Sequence, residues 1–255
     1  MLTPNERQVL DAIDERRLRD ELAALLRFPS LGGDEAPVQS HMAARLAVLG
    51  AEVDTWEIDL AALASHPSFS MEVPRTRGAG VVGTIAGHGD GPTLILNGHV
   101  DVVPIGDATR WTVPPFDATE RDGNIYGRGA CDMKGGLACA LAAIAAIRAA
   151  GVRLRGRVAV HSVIAEEDGG AGTLATLVRG HTGDGAISME PTRLAVAPAH
   201  AGALSFRLRV PGRATHGCVR EEGVSALETF EPIHHALLAL ERERNARLAQ
   251  PLFAG

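Results

Sequence analysis

Four segments place acids, and one of them an imidazole, directly behind apolar runs or a glycine-rich turn. Asn97-Gly98-His99-Val100-Asp101 follows the run at 93–96, and Glu166-Glu167-Asp168 follows the run at 157–164. Glu190-Pro191 closes the run at 186–189. Gly127-Arg128-Gly129-Ala130-Cys131-Asp132 leads through Met133-Lys134-Gly135-Gly136 into an alanine- and leucine-rich stretch. In open α/β sheets ligands bind beyond the carboxyl ends of strands, so His99, Asp132, Glu166, Glu167 and Glu190 are expected in one crevice. Four gathered carboxylates repel unless a cation neutralises them. One imidazole among carboxylates, without thiolates, suits Zn²⁺, Co²⁺ or Mn²⁺. Two such ions, roughly 3.5–4 Å apart and sharing one acid, would use this many carboxylates economically. Singly the pieces are weak: a lone HxD is common, adjacent glutamates are usually solvated, and glycines can serve tight turns alone. Their joint occurrence at strand ends carries the reading.

The elements that must position these residues follow from periodicity. Thr3-Pro4-Asn5-Glu6 is a capping box with proline at the first helical position, opening a helix that apolar spacing extends to residue 26. Further helices are predicted at 36–49, 135–150 and 172–178, and strands at 51–58, 81–85, 93–96, 157–164 and 186–189. This alternation predicts an α/β fold with a mixed, mostly parallel sheet and helices on both faces. The pattern then changes: residues 204–210 alternate in polarity as a half-buried strand does, and 223–249 reads as one amphipathic helix containing Pro232. A domain boundary is placed near residue 200.

Composition bounds the function. The 255 residues carry a net charge of −6, which does not support a basic nucleic-acid face. The absence of a run of about 18 apolar residues predicts no spanning helix, so no membrane partner is expected. Cys131, Cys139 and Cys218 form no CxxC, which points to a reduced, cytoplasmic compartment. No GxxxxGK[ST] is present, and Gly127-x-Gly129 lacks the third glycine of a dinucleotide fingerprint. Of 25 basic residues only Lys134 is lysine, a bias attributed to coding composition.

Gly98-His99-Val100-Asp101-Val102-Val103-Pro104 resembles the signature of the M20 metallopeptidases. So do Trp111 with Pro115-Phe116, Tyr126-Gly127-Arg128-Gly129, Asp132-Met133-Lys134-Gly135-Gly136, Glu166-Glu167 and Met189-Glu190-Pro191-Thr192, in order and approximate spacing. The family includes acetylornithine deacetylases, succinyl-diaminopimelate desuccinylases, aminoacylases and glutamate carboxypeptidases. The resemblance implies a catalytic metal-binding domain over 1–199 and part of a lid or dimerisation domain over 200–255. It implies that His99, Asp132 and Glu190 hold one metal, that Asp132 bridges to a second held also by Glu167, and that Glu166 is the general base. Asp101 would orient His99, as a carboxylate behind a ligating imidazole commonly does. Gly212-Arg213-Ala214-Thr215-His216-Gly217 is similar to the lid segment whose histidine reaches a partner subunit's active site, which makes His216 a catalytic candidate and a homodimer the expected assembly. The implied substrate is an N-acyl amino acid or small peptide, cleaved at its amide bond. The chain departs from the family by stopping at Gly255, before a late histidine that normally serves the second metal. The alternative reading is therefore a truncated, inactive member with at most partial metal binding. Cys131 is expected to be buried packing rather than a ligand.

Overall fold

The computed structural model describes residues 1–198 and 206–247, in two compact units, Met1–Leu194 and Ala195–Gly255. The first unit runs α1 (Pro4–Asp11), α2 (Glu15–Leu26), α3 (Ala36–Val48), β1 (Glu52–Glu57), α4 (Leu60–Leu63), β2 (Ala79–Ile85) and β3 (Thr93–His99). A hairpin of β4 (Thr119–Arg121) and β5 (Asn124–Tyr126) follows, then α5 (Gly135–Ala149), β6 (Arg157–Val163), α6 (Ala171–Val178) and β7 (Gly185–Ser188).

Local chemistry explains the helix ends. Thr3 and Glu6 cap α1 reciprocally. The single helix expected through residue 26 is broken in two, because Asp14 caps a second start by accepting the Arg17 N–H at 3.0 Å. Leu137, Ala138, Leu141 and Ile144 of α5 are buried. The stretch Ala130–Ala149 is long and apolar enough by composition to cross a membrane, contrary to the expectation that none is. More than half of it is buried inside the unit, so it serves as a core helix.

The sheet order is β1-β2-β6-β3-β7. β1–β2 and β2–β6 pair antiparallel, β6–β3 and β3–β7 parallel, so β2 alone runs against the other four. α3 and α5 share one face: a Cβ at Gly83 would lie 2.9 Å from Leu46, and one at Gly98 2.9 Å from Leu137. Gln39 pins α3 to this face, donating to the Ala79 and Ser162 carbonyls and accepting the Ser162 hydroxyl. The opposite face carries Val82, Ile95, Ala159 and Trp56, with the His181 ring stacked on Trp56. The unpredicted hairpin turns at Asp122-Gly123, whose φ values of 52° and 74° are those of a type I′ turn.

In the second unit the strand expected at 204–210 is not formed over 206–210, and residues 204 and 205 lie outside the described residues. Among the described residues no neighbouring strand pairs with it, and Phe206 and Leu208 stay exposed. The long helix α7 (Ala226–Ala246) begins where the Ser225 hydroxyl accepts the Glu228 N–H, later than the predicted residue 223. Its predicted last residue, 249, lies outside the described residues.

Candidate metal centre

β6, β3 and β7 lie side by side and parallel, so the segments leaving their carboxyl ends open into one crevice. His99 closes β3, Glu166 and Glu167 follow β6, Glu190 follows β7, and Asp132 enters from the turn at 130–134 ahead of α5. Glycines make that turn possible. Gly129 has φ +81°, and a Cβ there would stand 2.6 Å from Val102 Cγ1.

The imidazole of His99 is fully buried. Its Nδ1 lies 2.9 Å from the Asp101 carbonyl, a pure acceptor, so Nδ1 carries the proton and the Nε2 lone pair faces the crevice. Nε2 stands 3.1 Å from Asp132 Oδ1, 3.8 Å from Glu166 Oε2 and 3.9 Å from Glu190 Oε1. Glu167 joins through a second grouping: one donor atom each from His99, Asp132 and Glu167 lie within 4.8 Å of one another, as do those of His99, Glu166 and Glu190. The Asp101 carboxylate is also buried but does more than face the ring, whose Nδ1 is 3.6 Å from its Oδ1. It accepts the backbone N–H of Glu166 at 3.3 Å and of Glu167 at 3.1 Å, tying the acid pair to the histidine strand. Ala165, just before that pair, holds φ at 59°, a left-handed conformation that L residues avoid and that clusters at functional sites.

This crowding shapes the titration of the site. Burial pulls the His99 imidazole down, but the hydrogen bond and charge of Asp101, with the charges of Glu166 and Glu190, push it up to about 9. Burial raises Glu190 to about 7, assisted by Asp132 and Glu166 and opposed by His99. Burial and the charge of Asp132 raise Glu167. Asp101 is lowered despite its burial, by His99 and by the two backbone donors. A lone pair and several carboxylates converge here with only a proton to separate them, and a divalent cation fits that donor set. One nitrogen cannot serve two ions. Among the described residues the two groupings share His99 and differ in their acids, Asp132 and Glu167 in one, Glu166 and Glu190 in the other.

Other residues fall elsewhere. His216 lies in the second unit, where its Nδ1 accepts the Cys218 N–H at 3.2 Å at the head of a short turn over 217–222. Cys131 is exposed rather than buried, because the turn at 130–134 directs Met133 and Lys134 inward and residue 131 outward. The role of Lys134 was not legible in the motif. Its side chain is fully buried, and Nζ donates to the Leu25 carbonyl at 3.1 Å and the Phe28 carbonyl at 2.7 Å, closing the C-terminal end of α2. Burial lowers this ammonium to about 8, against the opposing charge of Asp101. Its standing as the one lysine among 25 basic residues was the available signal.

Comparison with known proteins gives the family and the fold. Residues 95–239 match the model of peptidase family M20/M25/M40. The chain is 33% identical over 226 residues to an N-formyl-4-amino-5-aminomethyl-2-methylpyrimidine deformylase of Bacillus subtilis (strain 168), covering 85% of this chain and 50% of that protein. It is 35% identical over 141 residues to a probable succinyl-diaminopimelate desuccinylase of Staphylococcus aureus (strain MRSA252), covering 54% of this chain and 35% of the relative. The chain thus spans half or less of the length of these relatives. Among solved structures, a tripeptidase from Staphylococcus aureus subsp. aureus Mu50 superposes with TM-score 0.54 at 24% identity, over 85% of this chain and 54% of that one. Human carnosine dipeptidase 1 superposes with TM-score 0.53 at 21% identity, over 67% of this chain and 36% of that one. These two likenesses show the fold.

Proposed function

The chain belongs to peptidase family M20/M25/M40, and from that premise we propose that it contributes the metal centre of a hydrolase cleaving the amide bond of a small N-acyl amino acid or peptide. The observation that carries this reading is the buried His99 Nε2 facing the carboxylates of Asp132, Glu166 and Glu190. We assign one divalent ion to His99, Asp132 and Glu190, and a second to Asp132 and Glu167. Zinc is our first choice, with cobalt or manganese as alternatives. Such an ion, when bound, polarises the scissile carbonyl and acidifies a water.

The chain's own residues supply the rest. Glu166 is half exposed, on the crevice side of the imidazole, and acts as the general base. It takes a proton as water oxygen adds to the carbonyl carbon, then delivers it to the amine nitrogen as the C–N bond breaks. Asp101 fixes the Glu166 backbone and, through its carbonyl, the tautomer of His99. His216 is assigned, on its motif, as a donor to the developing oxyanion in a second copy of the chain, which makes a homodimer the working form. The exposed, unpaired cysteines suit a cytoplasmic setting.

The test is metal content with hydrolysis of a panel of N-formyl, N-succinyl and dipeptide substrates. Glu166→Gln is expected to keep its metal and to lose turnover by about 10²–10⁴-fold. Near-normal hydrolysis by that variant excludes Glu166 as the base. A chain that holds one ion or none, without turnover, supports instead an inactive member of the family.

A further inference from the structure

The turn that carries Glu166 and Glu167 is gripped from two sides. Asp101 holds it from the strand side through the two backbone N–H groups. On the other side stands Arg75, in the irregular stretch between α4 and β2, its side chain only 1% exposed. Its guanidinium forks to two carboxylates from different elements. Nε and Nη2 reach Glu35 Oε1 at 3.2 and 2.7 Å, and Nη1 bonds Asp168. Glu35 sits at the head of α3, and its other oxygen accepts the Gly33 N–H at 3.0 Å. Asp168 is the residue after Glu167, and both carboxylates are more than nine-tenths buried.

The backbone repeats the connection. The Glu72 N–H donates to the Asp168 carbonyl at 2.8 Å. Gly169, at φ +132°, lies so close to Ser70 that a Cβ would stand 2.6 Å from its carbonyl oxygen. Burying one cation with two anions gains little over an apolar cluster of the same volume. Such a group instead specifies geometry, and the geometry it specifies is that of the 165–170 turn.

We propose that Arg75 is a positioning residue for the metal centre: by anchoring Asp168 to Glu35 it fixes the turn that aims Glu166 and Glu167 at the crevice. This rests on the functional reading above for what the two acids do. Among the described residues Arg75 pairs with Glu35 and Asp168 rather than with either of these acids, and acts through Asp168. Lysine cannot replace it, because an ammonium lacks the planar fork that serves two carboxylates at once.

The experiment uses the whole chain and the variants Arg75→Met, Arg75→Lys and Asp168→Asn. Hydrogen exchange is measured on the metal-free proteins, and Co²⁺ is titrated with its visible absorption as the signal. In Arg75→Met and Asp168→Asn, amides at 165–170 are expected to exchange about tenfold faster or more relative to those of β6 and α5, as a locally opened segment does. Co²⁺ affinity is expected to fall by about 10–100-fold, the usual loss for a partner behind the ligands. Arg75→Lys stays close to Arg75→Met in both readings. Unchanged exchange at 165–170, or faster exchange with undiminished Co²⁺ affinity, overturns the proposal and leaves Arg75 a structural ion pair. If Arg75→Met does not fold, Asp168→Asn decides by the same two measurements. A wild-type chain that takes up no Co²⁺ overturns the functional reading, and exchange alone then decides whether Arg75 fixes the turn.

Discussion

The two halves of the candidate site are built differently. His99 and Asp101 leave a central strand and are 0% and 2% exposed, whereas the side chains of Asp132, Glu166 and Glu190 stand on turns at 55%, 46% and 33% exposure. The imidazole half is set by the sheet: its ring cannot rotate without breaking the bond to the Asp101 carbonyl. The acid half has no such frame and takes its order from outside, through Asp101 beneath Glu166 and Glu167 and through Asp168 beside them. On the proposed reading, such a centre would have one fixed ligand and several that adjust around the cation between them. Preorganisation is thus concentrated at the imidazole, whose tautomer the Asp101 carbonyl sets, and flexibility is left at the exposed carboxylates.

This contrast can be broken in steps, beginning with the largest effect. His99→Ala removes the fixed ligand, and its loss of Co²⁺ affinity, followed by titration, is expected to exceed the roughly 10–100-fold that an indirect partner costs. Affinity retained within that range would mean that the acids alone organise the site. Asp101→Asn is expected to fall within that range, about 10–100-fold, because it weakens the carboxylate's grip on the Glu166 and Glu167 backbone and removes its charge beside the imidazole, while the carbonyl bond to His99 stays. Exchange at the Glu166 and Glu167 amides should quicken with it, and unaltered exchange would separate the two halves.

The next effect is on pH dependence in the metal-free chain. His99 is raised from 6.5 to about 9, so the fold binds its proton more tightly than the unfolded chain does. That stabilisation is complete below 6.5 and is lost as pH rises toward 9. Glu190, raised from 4.5 to about 7, acts in the same sense at lower pH, but His161, lowered to about 4 chiefly by burial, opposes it there. Above about 8 the lowered Lys134 begins to oppose His99. The clean window is therefore pH 6.5 to 8, where urea midpoints should fall with rising pH. A flat or rising midpoint across it would show that the His99 proton is not held by the acids. The smallest expected effect on metal affinity is that of Glu166→Gln, whose Co²⁺ titration should nearly overlay the wild type while turnover is lost. A large loss of affinity would make Glu166 a ligand rather than a base.

Much of this was legible in the sequence, for a physical reason. The strands at 93–96, 157–164 and 186–189 are short apolar runs with acids behind them, and parallel strands deliver their ends to one edge, so convergence follows from the pattern alone. What the sequence hides is contact between distant irregular segments. Arg75 has no periodicity around it, and nothing local says that it meets Glu35 and Asp168, 40 and 93 residues away. Two further features carry local signals. Asp14 caps α2 inside an otherwise continuous helical spacing, and Asp122-Gly123 is a hairpin dipeptide. The strand expected at 204–210, not formed over the described residues 206–210, illustrates the limit of a period-two pattern, since alternation records a preference that only a partner ladder can satisfy.

The burial of Lys134 has a practical consequence for chemistry performed on this chain. It is the one side-chain primary amine the sequence contains, and folding seals it behind the end of α2. An acylating reagent aimed at amines is therefore left, on the folded chain, with the α-amino group as its target. A second acyl adduct, counted by mass spectrometry, would record each molecule in which α2 and the Asp132 turn have come apart.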